Sequence, residues 1–314
     1  MRYPMLKGAL RRVFPVLLAT SLLPLPAFAK VTLLSSIKPL TLIAAEVVGD
    51  AGKAETLLPV AASPHDYPLR VSDMRRLQEA DLVLWVGKEL EGFLYRPLGN
   101  KEANRQLSVF ALEGLHWPAA LDEAHDHEGH SHHGHDHHHH DGRDPHLWLD
   151  PRNAGLIAMA LAERLAELVP GQADGYRARA LEFQQQMERL DKVLMQQLAP
   201  VRSVGFAVYH EGYQHFVDRY QLSQTGYVTY SPEQRPGARH LHQLRQKLKG
   251  KAVCLFTEPY YDQRMARELG EELGLTIGVL DPIGGEAVNS YAALMQNMAG
   301  DFLSCLQSAH KNAD

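Results

Sequence analysis

Four isolated side chains of metal-binding type each follow an apolar segment of the sequence. His65, His146 and His210 carry imidazoles, and Asp281 carries a carboxylate. Imidazole nitrogens and carboxylate oxygens are ligands with which proteins hold Zn(II), and four such ligands complete a tetrahedral site. Because the loops that follow the strands of a parallel sheet open onto one crevice, the four positions predict a zinc site in such a crevice.

A second concentration of histidine lies in residues 122–143, which consist almost wholly of His, Asp, Glu, Gly and Ser. Such a segment cannot bury apolar surface, so we expect a loop without a fixed fold. Its imidazoles predict weak secondary binding of several metal ions, because each binding event must order the chain. A solvated acidic linker is the alternative interpretation. The predicted loop ligands are His125, His127, His130, His132, His133, His135, His137, His138, His139 and His140.

Residues 1–29 have the features of a secretory signal peptide. A basic start is followed by an apolar run, and the small-x-small sequence of residues 27–29 precedes Lys30. The apolar run is too short for a membrane span, which takes about 20 residues. We therefore expect cleavage before Lys30 and export of an acidic, soluble protein.

The sequence contains two cysteines, Cys254 and Cys305. In an oxidising compartment a pair of this kind forms a disulfide by default. A bridge would tie the predicted C-terminal helix to a strand of its own lobe. Two buried free thiols are the alternative, since sequence alone does not determine pairing.

Short apolar strands alternate with helical segments over most of the chain, as is typical of parallel sheets built from βα units. Between two such regions, residues 174–198 predict a helix about 37 Å long, which suits a strut across the molecule. The predicted strands are residues 31–34, 56–60, 82–86, 203–209, 224–228, 252–256 and 276–280. Other predicted helices are residues 39–48, a helix capped by Ser72, and residues 152–168 and 290–306.

The pattern therefore predicts an α/β protein with two lobes, joined by one long helix, and a metal site in the cleft between the lobes. We place the signal peptide at residues 1–29 and the N-terminal lobe at 30–171, with the His-rich loop at 122–143. The linking helix is predicted at residues 172–199, and the C-terminal lobe at 200–314.

Composition and spacing exclude several other classes of protein. The 314 residues are 45% hydrophobic and 22% charged, which is ordinary for a globular protein, and the formal charge of -5 disfavours nucleic acid as a partner.

Residues 210–215 (HEGYQH) nearly match the zinc-protease signature H-E-x-x-H. They contain one residue too many, which on a helix would turn His215 about 140° away from His210.

The sequence resembles the periplasmic metal-binding proteins that feed ABC importers and, among them, the zinc-specific ZnuA type. The resemblance extends over essentially the whole chain after residue 29 and includes the His-rich insertion. Its most specific segments are residues 63–67 (SPHDY), 144–151 (DPHLWLDP), 208–210 (VYH), 256–259 (FTEP) and 280–284 (LDPIG).

The resemblance implies two α/β lobes joined by one long rigid helix, and a periplasmic protein that delivers Zn(II) to an ABC permease. A site filled by three His and one Asp leaves no open position for a catalytic water, so we expect a binding protein and not an enzyme, and we expect a monomer. His65, His146 and His210 match the three metal-ligating histidines, and Asp281 matches the carboxylate position. Manganese members typically carry Glu at the third position, so His210 favours zinc.

The fourth ligand is left open between Asp281 and water, because some zinc members carry Glu where this sequence has Pro64. Glu258 is a candidate for orienting a ligand imidazole. Two other functions are alternatives to zinc delivery. One is a secreted metal buffer or chaperone in which the His-rich loop is the main binder. The other is a secreted zinc hydrolase, for which Glu211 is the obvious base.

Overall fold

The computed structural model describes residues 30–119 and 143–311. The predicted signal peptide and nearly all of the predicted His-rich loop, including its ten histidines, therefore lie outside the described residues. Within the two described ranges, no helix combines the length and the apolar character needed to cross a membrane.

The described chain forms two lobes, each built on a four-stranded parallel sheet. The strands are β1 (Val31–Ser35), β2 (Gly52–Thr56), β3 (Leu82–Trp85), β4 (Gln106–Ser108), β5 (Phe206–His210), β6 (Gln224–Thr229), β7 (Cys254–Thr257) and β8 (Thr276–Val279). The N-terminal sheet has the order β2-β1-β3-β4, and the C-terminal sheet has the matching order β6-β5-β7-β8. The predicted α/β fold with two parallel-sheet lobes is confirmed.

Helices connect the strands and join the lobes. They are α1 (Lys38–Val48), α2 (Val71–Glu79), α3 (Gly92–Gly99), α4 (Pro151–Leu168), α5 (Ala173–Leu198), α6 (Gln214–Tyr220), α7 (Ala238–Leu248), α8 (Arg264–Leu273) and α9 (Tyr291–Lys311). The long helix α5 has 26 residues and is about 39 Å long. It packs against α1 and α4 of the N-terminal lobe and against α6 and α9 of the C-terminal lobe, so it contacts both lobes.

Three local features differ from the sequence-based expectation. The second strand is residues Gly52–Thr56 and not 56–60, because β2 is a half-exposed edge strand without an apolar run. The other edge strand, Gln106–Ser108, was not predicted, since three residues carry too little pattern. Helix α2 begins at Val71, so Ser72 lies inside it and is not its cap. The Asp73 carboxylate instead accepts a hydrogen bond from the Arg70 backbone N–H at 2.9 Å.

A continuous hydrophobic core runs through both lobes along α5. Where the lobes meet, the Trp148 indole N–H donates to the Pro282 carbonyl at 2.8 Å, and the Tyr291 hydroxyl donates to the Trp148 carbonyl at 2.6 Å. Both aromatic side chains are fully buried. These contacts hold the segment that follows His146 against the C-terminal lobe.

The predicted disulfide between Cys254 and Cys305 is present, with an S–S distance of 2.04 Å. Cys254 begins β7 and Cys305 lies on α9. The bridge therefore ties the last helix to its own lobe, close to the central strands of the C-terminal sheet.

Candidate metal centre

Three of the four predicted ligands meet in the cleft between the lobes. The candidate ligand atoms of His65, His146 and His210 all lie within 4.8 Å of one another. The imidazole centroids are 5.3 Å apart for His65 and His146, 4.9 Å for His65 and His210, and 5.1 Å for His146 and His210. Such a cluster can bind one metal ion from three directions.

Each histidine is positioned by a different kind of element. His210 is the last residue of β5 and pairs with Thr229 of β6, so the sheet fixes its backbone. His146 immediately precedes a short 3-10 turn, Leu147–Leu149, that leads into α4. His65 lies in the segment between β2 and α2, which contains neither helix nor strand. His146 and His210 are buried, and His65 is half-buried.

Two carboxylates orient the buried imidazoles. The Nδ1–H of His146 donates to Asp144 Oδ1 at 2.6 Å, and the Nδ1–H of His210 donates to Glu258 Oε1 at 2.8 Å. The Tyr213 hydroxyl also donates to Glu258 Oε1, at 3.1 Å. A carboxylate at Nδ1 sets the tautomer and leaves Nε2 as the metal-binding atom. Among the described residues, the buried Nε2 of His210 has no hydrogen-bond partner, as expected for a nitrogen reserved for a ligand.

The charges around these imidazoles favour a cation. Burial opposes ionisation of Asp144, but the neighbouring imidazoles of His146 and His215 hold the pKa of its carboxyl well below its usual range. Burial also opposes protonation of His210, yet the adjacent Glu258 carboxylate raises the pKa of that imidazole above its ordinary value. Asp144 is therefore anionic, and the Glu258 carboxylate stabilises positive charge at His210.

Gly212 provides the space in which the two buried rings converge. A β-carbon at this position would lie 2.7 Å from His210 Cε1 and 2.9 Å from His146 Cε1, which is closer than real contacts allow. The cleft over the imidazoles has about 330 Å³ of open space, including solvent at its mouth. Residues that line it besides the histidines include Pro64, Glu258, Tyr260, Tyr261 and Ile283.

Asp281 is not part of the group of ligand atoms within 4.8 Å. Its Oδ1 accepts hydrogen bonds from the backbone N–H groups of Ile283 at 3.1 Å and Gly284 at 2.8 Å. Its Oδ2 accepts from the Tyr260 hydroxyl at 3.2 Å, and burial together with Asp281 raises the pKa of Tyr260 to about 12. Asp281 thus shapes the loop after β8, and its role as fourth ligand stays a prediction.

The protease-like pair of residues has structural contacts instead. His210 ends a strand whereas His215 lies on α6, so no helix presents both rings to one ion. The His215 Nε2–H donates to the Asp144 carbonyl at 2.9 Å. The two Glu211 oxygens accept from Gln214 at 2.6 Å and Gln224 at 2.7 Å, and burial raises the pKa of Glu211 to about 7.

Sequence reasoning named Glu258 as an orienting residue but missed Asp144 and Gly212. Asp144 stands two residues before His146, a spacing that lets its carboxylate bond both the backbone N–H and the ring of His146. A glycine two residues after a predicted ligand was the available signal for Gly212.

Residues 33–305 match the family model described as ZnuA, zinc-uptake complex component A, periplasmic. The chain is 37% identical to the high-affinity zinc uptake system protein ZnuA of Yersinia pestis, over 93% of this chain and 96% of that protein. It is 31% identical to the protein of the same name from Haemophilus influenzae, over 92% of this chain and 97% of that protein.

Solved structures share the fold at lower sequence identity. A crystal structure of ZnuA superimposes with a TM-score of 0.73 at 23% identity, covering 88% of this chain and 100% of that chain. A zinc-bound deletion mutant of ZnuA gives a TM-score of 0.73 at 24% identity, covering 88% and 98%. The chain therefore belongs to the family of the periplasmic zinc-uptake complex component A, whose members are solute-binding transport proteins and not enzymes.

Proposed function

We propose that this protein captures Zn(II) in the cleft between its lobes and delivers it to an ABC permease for high-affinity zinc uptake. The observation that carries the proposal is the convergence of three imidazoles, from both lobes, within 4.8 Å. Carboxylates orient two of them through Nδ1. Family membership supports zinc over other cations, as does the set of nitrogen ligands.

His65, His146 and His210 are the proposed protein ligands, with Asp281 or water completing the coordination. For Asp281 to bind the ion, its Oδ2 has to exchange the Tyr260 hydroxyl for the metal. If it does so, Asp281→Asn weakens zinc binding whereas Tyr260→Phe does not. If water is the fourth ligand, both variants bind zinc as the unmodified protein does.

We propose that residues 1–29 direct export to the periplasm and that the mature chain acts as a monomer. The N-terminal lobe then comprises residues 30–171, the linking helix 172–199 and the C-terminal lobe 200–314. A helix resists the hinge bending that strand linkers allow, and α5 contacts both lobes. Zinc release is therefore assigned to local rearrangement of loops at the cleft, driven by the permease.

Calorimetric zinc titration of the mature chain tests this function, with a second form that lacks residues 122–143. We expect one tight site to survive the deletion, and His65→Ala or His210→Ala in the deleted form to remove it. Loss of all tight binding on deletion would move the function to the His-rich segment and favour a metal buffer. Unchanged affinity in both alanine variants would refute the proposed site.

A further inference from the structure

A side-chain contact joins the segment that carries His65 to the opposite lobe. The Ser63 hydroxyl donates a hydrogen bond to Glu233 Oε1. The same hydroxyl oxygen accepts from the backbone N–H of His65 at 3.2 Å. Ser63 thus fixes the main chain of a ligand residue and contacts a carboxylate across the cleft.

Glu233 is held in place by its own turn between β6 and α7. The Ser231 hydroxyl donates to Glu233 Oε2 at 2.5 Å, so each carboxylate oxygen has a defined partner. The buried Thr229 hydroxyl lies 2.7 Å from the Ser231 carbonyl and 2.9 Å from the Gln234 carbonyl, and its one proton is shared between them. The carboxylate is therefore presented to Ser63 from a turn with a fixed backbone.

The turn that carries Glu233 begins at the strand pair that carries His210. Thr229 and His210 are partners in the β5–β6 register. The Glu211 backbone N–H donates to the Thr229 carbonyl at 3.0 Å, which extends this pairing beyond His210. The Ser63–Glu233 contact therefore connects the backbone of the His65 segment to the strand pair that carries His210. The ring centroids of His65 and His210 lie 4.9 Å apart.

The position of His65 depends more on such a contact between the lobes than the positions of His146 and His210 do. It lies between Thr56 and Val71, where the chain has no helix or strand, and it is half-buried. We propose that Glu233 is a positioning residue for zinc capture: through Ser63 it holds the His65 segment against His210 and slows the release of zinc. This inference rests on the proposed function and adds a residue to its site.

The test is the rate at which the zinc-loaded mature chain releases its ion into excess chelator, followed by stopped flow. Glu233→Ala removes a hydrogen bond to a charged group, so we expect release about tenfold faster. Glu233→Gln keeps a side-chain oxygen that accepts from Ser63, so we expect release within about twofold of the unmodified protein.

Asp262→Ala is the matched control, because in the described part of the chain the hydrogen bonds and the ion pair of this exposed carboxylate are made with nearby Arg264. It removes the same charge from the same lobe, and we expect little change in release. A double-mutant cycle completes the test. The double variant Ser63→Ala and Glu233→Ala should release zinc about as fast as the faster of the two single variants. This is because both substitutions break the same hydrogen bond between Ser63 and Glu233.

Several outcomes would overturn the inference. These are unchanged release in Glu233→Ala, equal acceleration in Glu233→Gln, equal acceleration in Asp262→Ala, or additive effects of Ser63→Ala and Glu233→Ala. Failure of the unmodified chain to bind zinc in the initial titration would instead refute the proposed function. The two failures are therefore distinguishable in one set of experiments.

Discussion

The two sheets have the same strand order, yet their carboxyl edges serve different purposes. In the C-terminal lobe, β5 ends at His210 and Glu258 directly follows β7, so one edge supplies a ligand and the carboxylate that orients it. In the N-terminal lobe, the equivalent strand β1 ends at Ser35. Glu91, which lies beyond the equivalent of β7, is fully buried and accepts from the Val86 backbone N–H at 2.7 Å.

The N-terminal lobe instead supplies its ligands from irregular segments. His65 follows the edge strand β2, and His146 follows β4 after the undescribed residues. Asp144 orients His146, while the segment of His65 is tied to the other lobe through Ser63. Parallel topology thus creates an edge of the sheet where ligands can meet. The side chains at that edge determine whether it binds metal or is closed to solvent by a buried group such as Glu91.

The largest effect is expected from removing the ligand at the C-terminal edge. His210→Ala should lower zinc affinity by more than about a hundredfold, since loss of an orienting partner alone costs about 10–100-fold. Calorimetric titration measures this, with the exposed His242→Ala as the control in the same lobe. Equal affinities for the two variants would show that the C-terminal edge is not the site.

Buried Glu91, at the carboxyl edge of the N-terminal sheet, should make the stability of the protein depend on pH. Burial raises the pKa of Glu91 to about 7 from 4.5, so the folded state retains a proton that the unfolded state loses. Glu91 alone should therefore lower the free energy of unfolding by about 3 kcal/mol as the pH rises from about 4.5 through 7. In Glu91→Gln this contribution disappears.

Urea unfolding of the metal-free protein at pH 5 and pH 8 measures most of that difference. Zinc affinity of Glu91→Gln should match the unmodified protein, and the exposed Glu113→Gln serves as the control in the same lobe. An identical loss of stability between the two pH values in Glu91→Gln and the unmodified protein would contradict the assignment.

A smaller effect is expected from the carboxylate that orients His210. Glu258→Gln should lower zinc affinity by about 10–100-fold, because a neutral amide holds the imidazole less firmly and no longer stabilises the charge of a cation bound at Nε2. Titration of Tyr213→Phe provides the comparison, since it removes one hydrogen bond to Glu258 and keeps the carboxylate. If both variants bind zinc equally well, orientation by Glu258 is unimportant.

The smallest effect on zinc affinity is expected from a change in side-chain size, at Gly212, that alters no charge. Gly212→Ala should lower zinc affinity about tenfold, because its methyl group would force the rings of His146 and His210 apart. Gly237→Ala is the control, as a β-carbon there meets no atom within 4 Å. Unchanged affinity in Gly212→Ala would mean that the rings shift without cost to the site.

Most strands and helices were predictable because apolar periodicity is a local property. Strands β1, β3 and β5–β8 and the long helix α5 overlap their predicted positions. Strand β2 was predicted four residues too late and β4 was not predicted, because a half-exposed or three-residue strand carries no apolar run. The start of α2 was misplaced because the Asp73 carboxylate bonds the Arg70 backbone, a contact that residue types alone did not reveal.

The sequence by itself determined the α/β class and the family, and it predicted the three histidines that meet and the disulfide, because these depend on residue types in local patterns. Tertiary structure decided which carboxylate serves which imidazole, which glycine makes room for them and which residue ties the His65 segment across the cleft. Glu258 reaches His210 across 48 positions of sequence, and Glu233 reaches Ser63 across 170. The pairing of β5 with β7 brings the first two residues together and the packing of the two lobes brings the second two together, and neither leaves a periodic pattern along the chain.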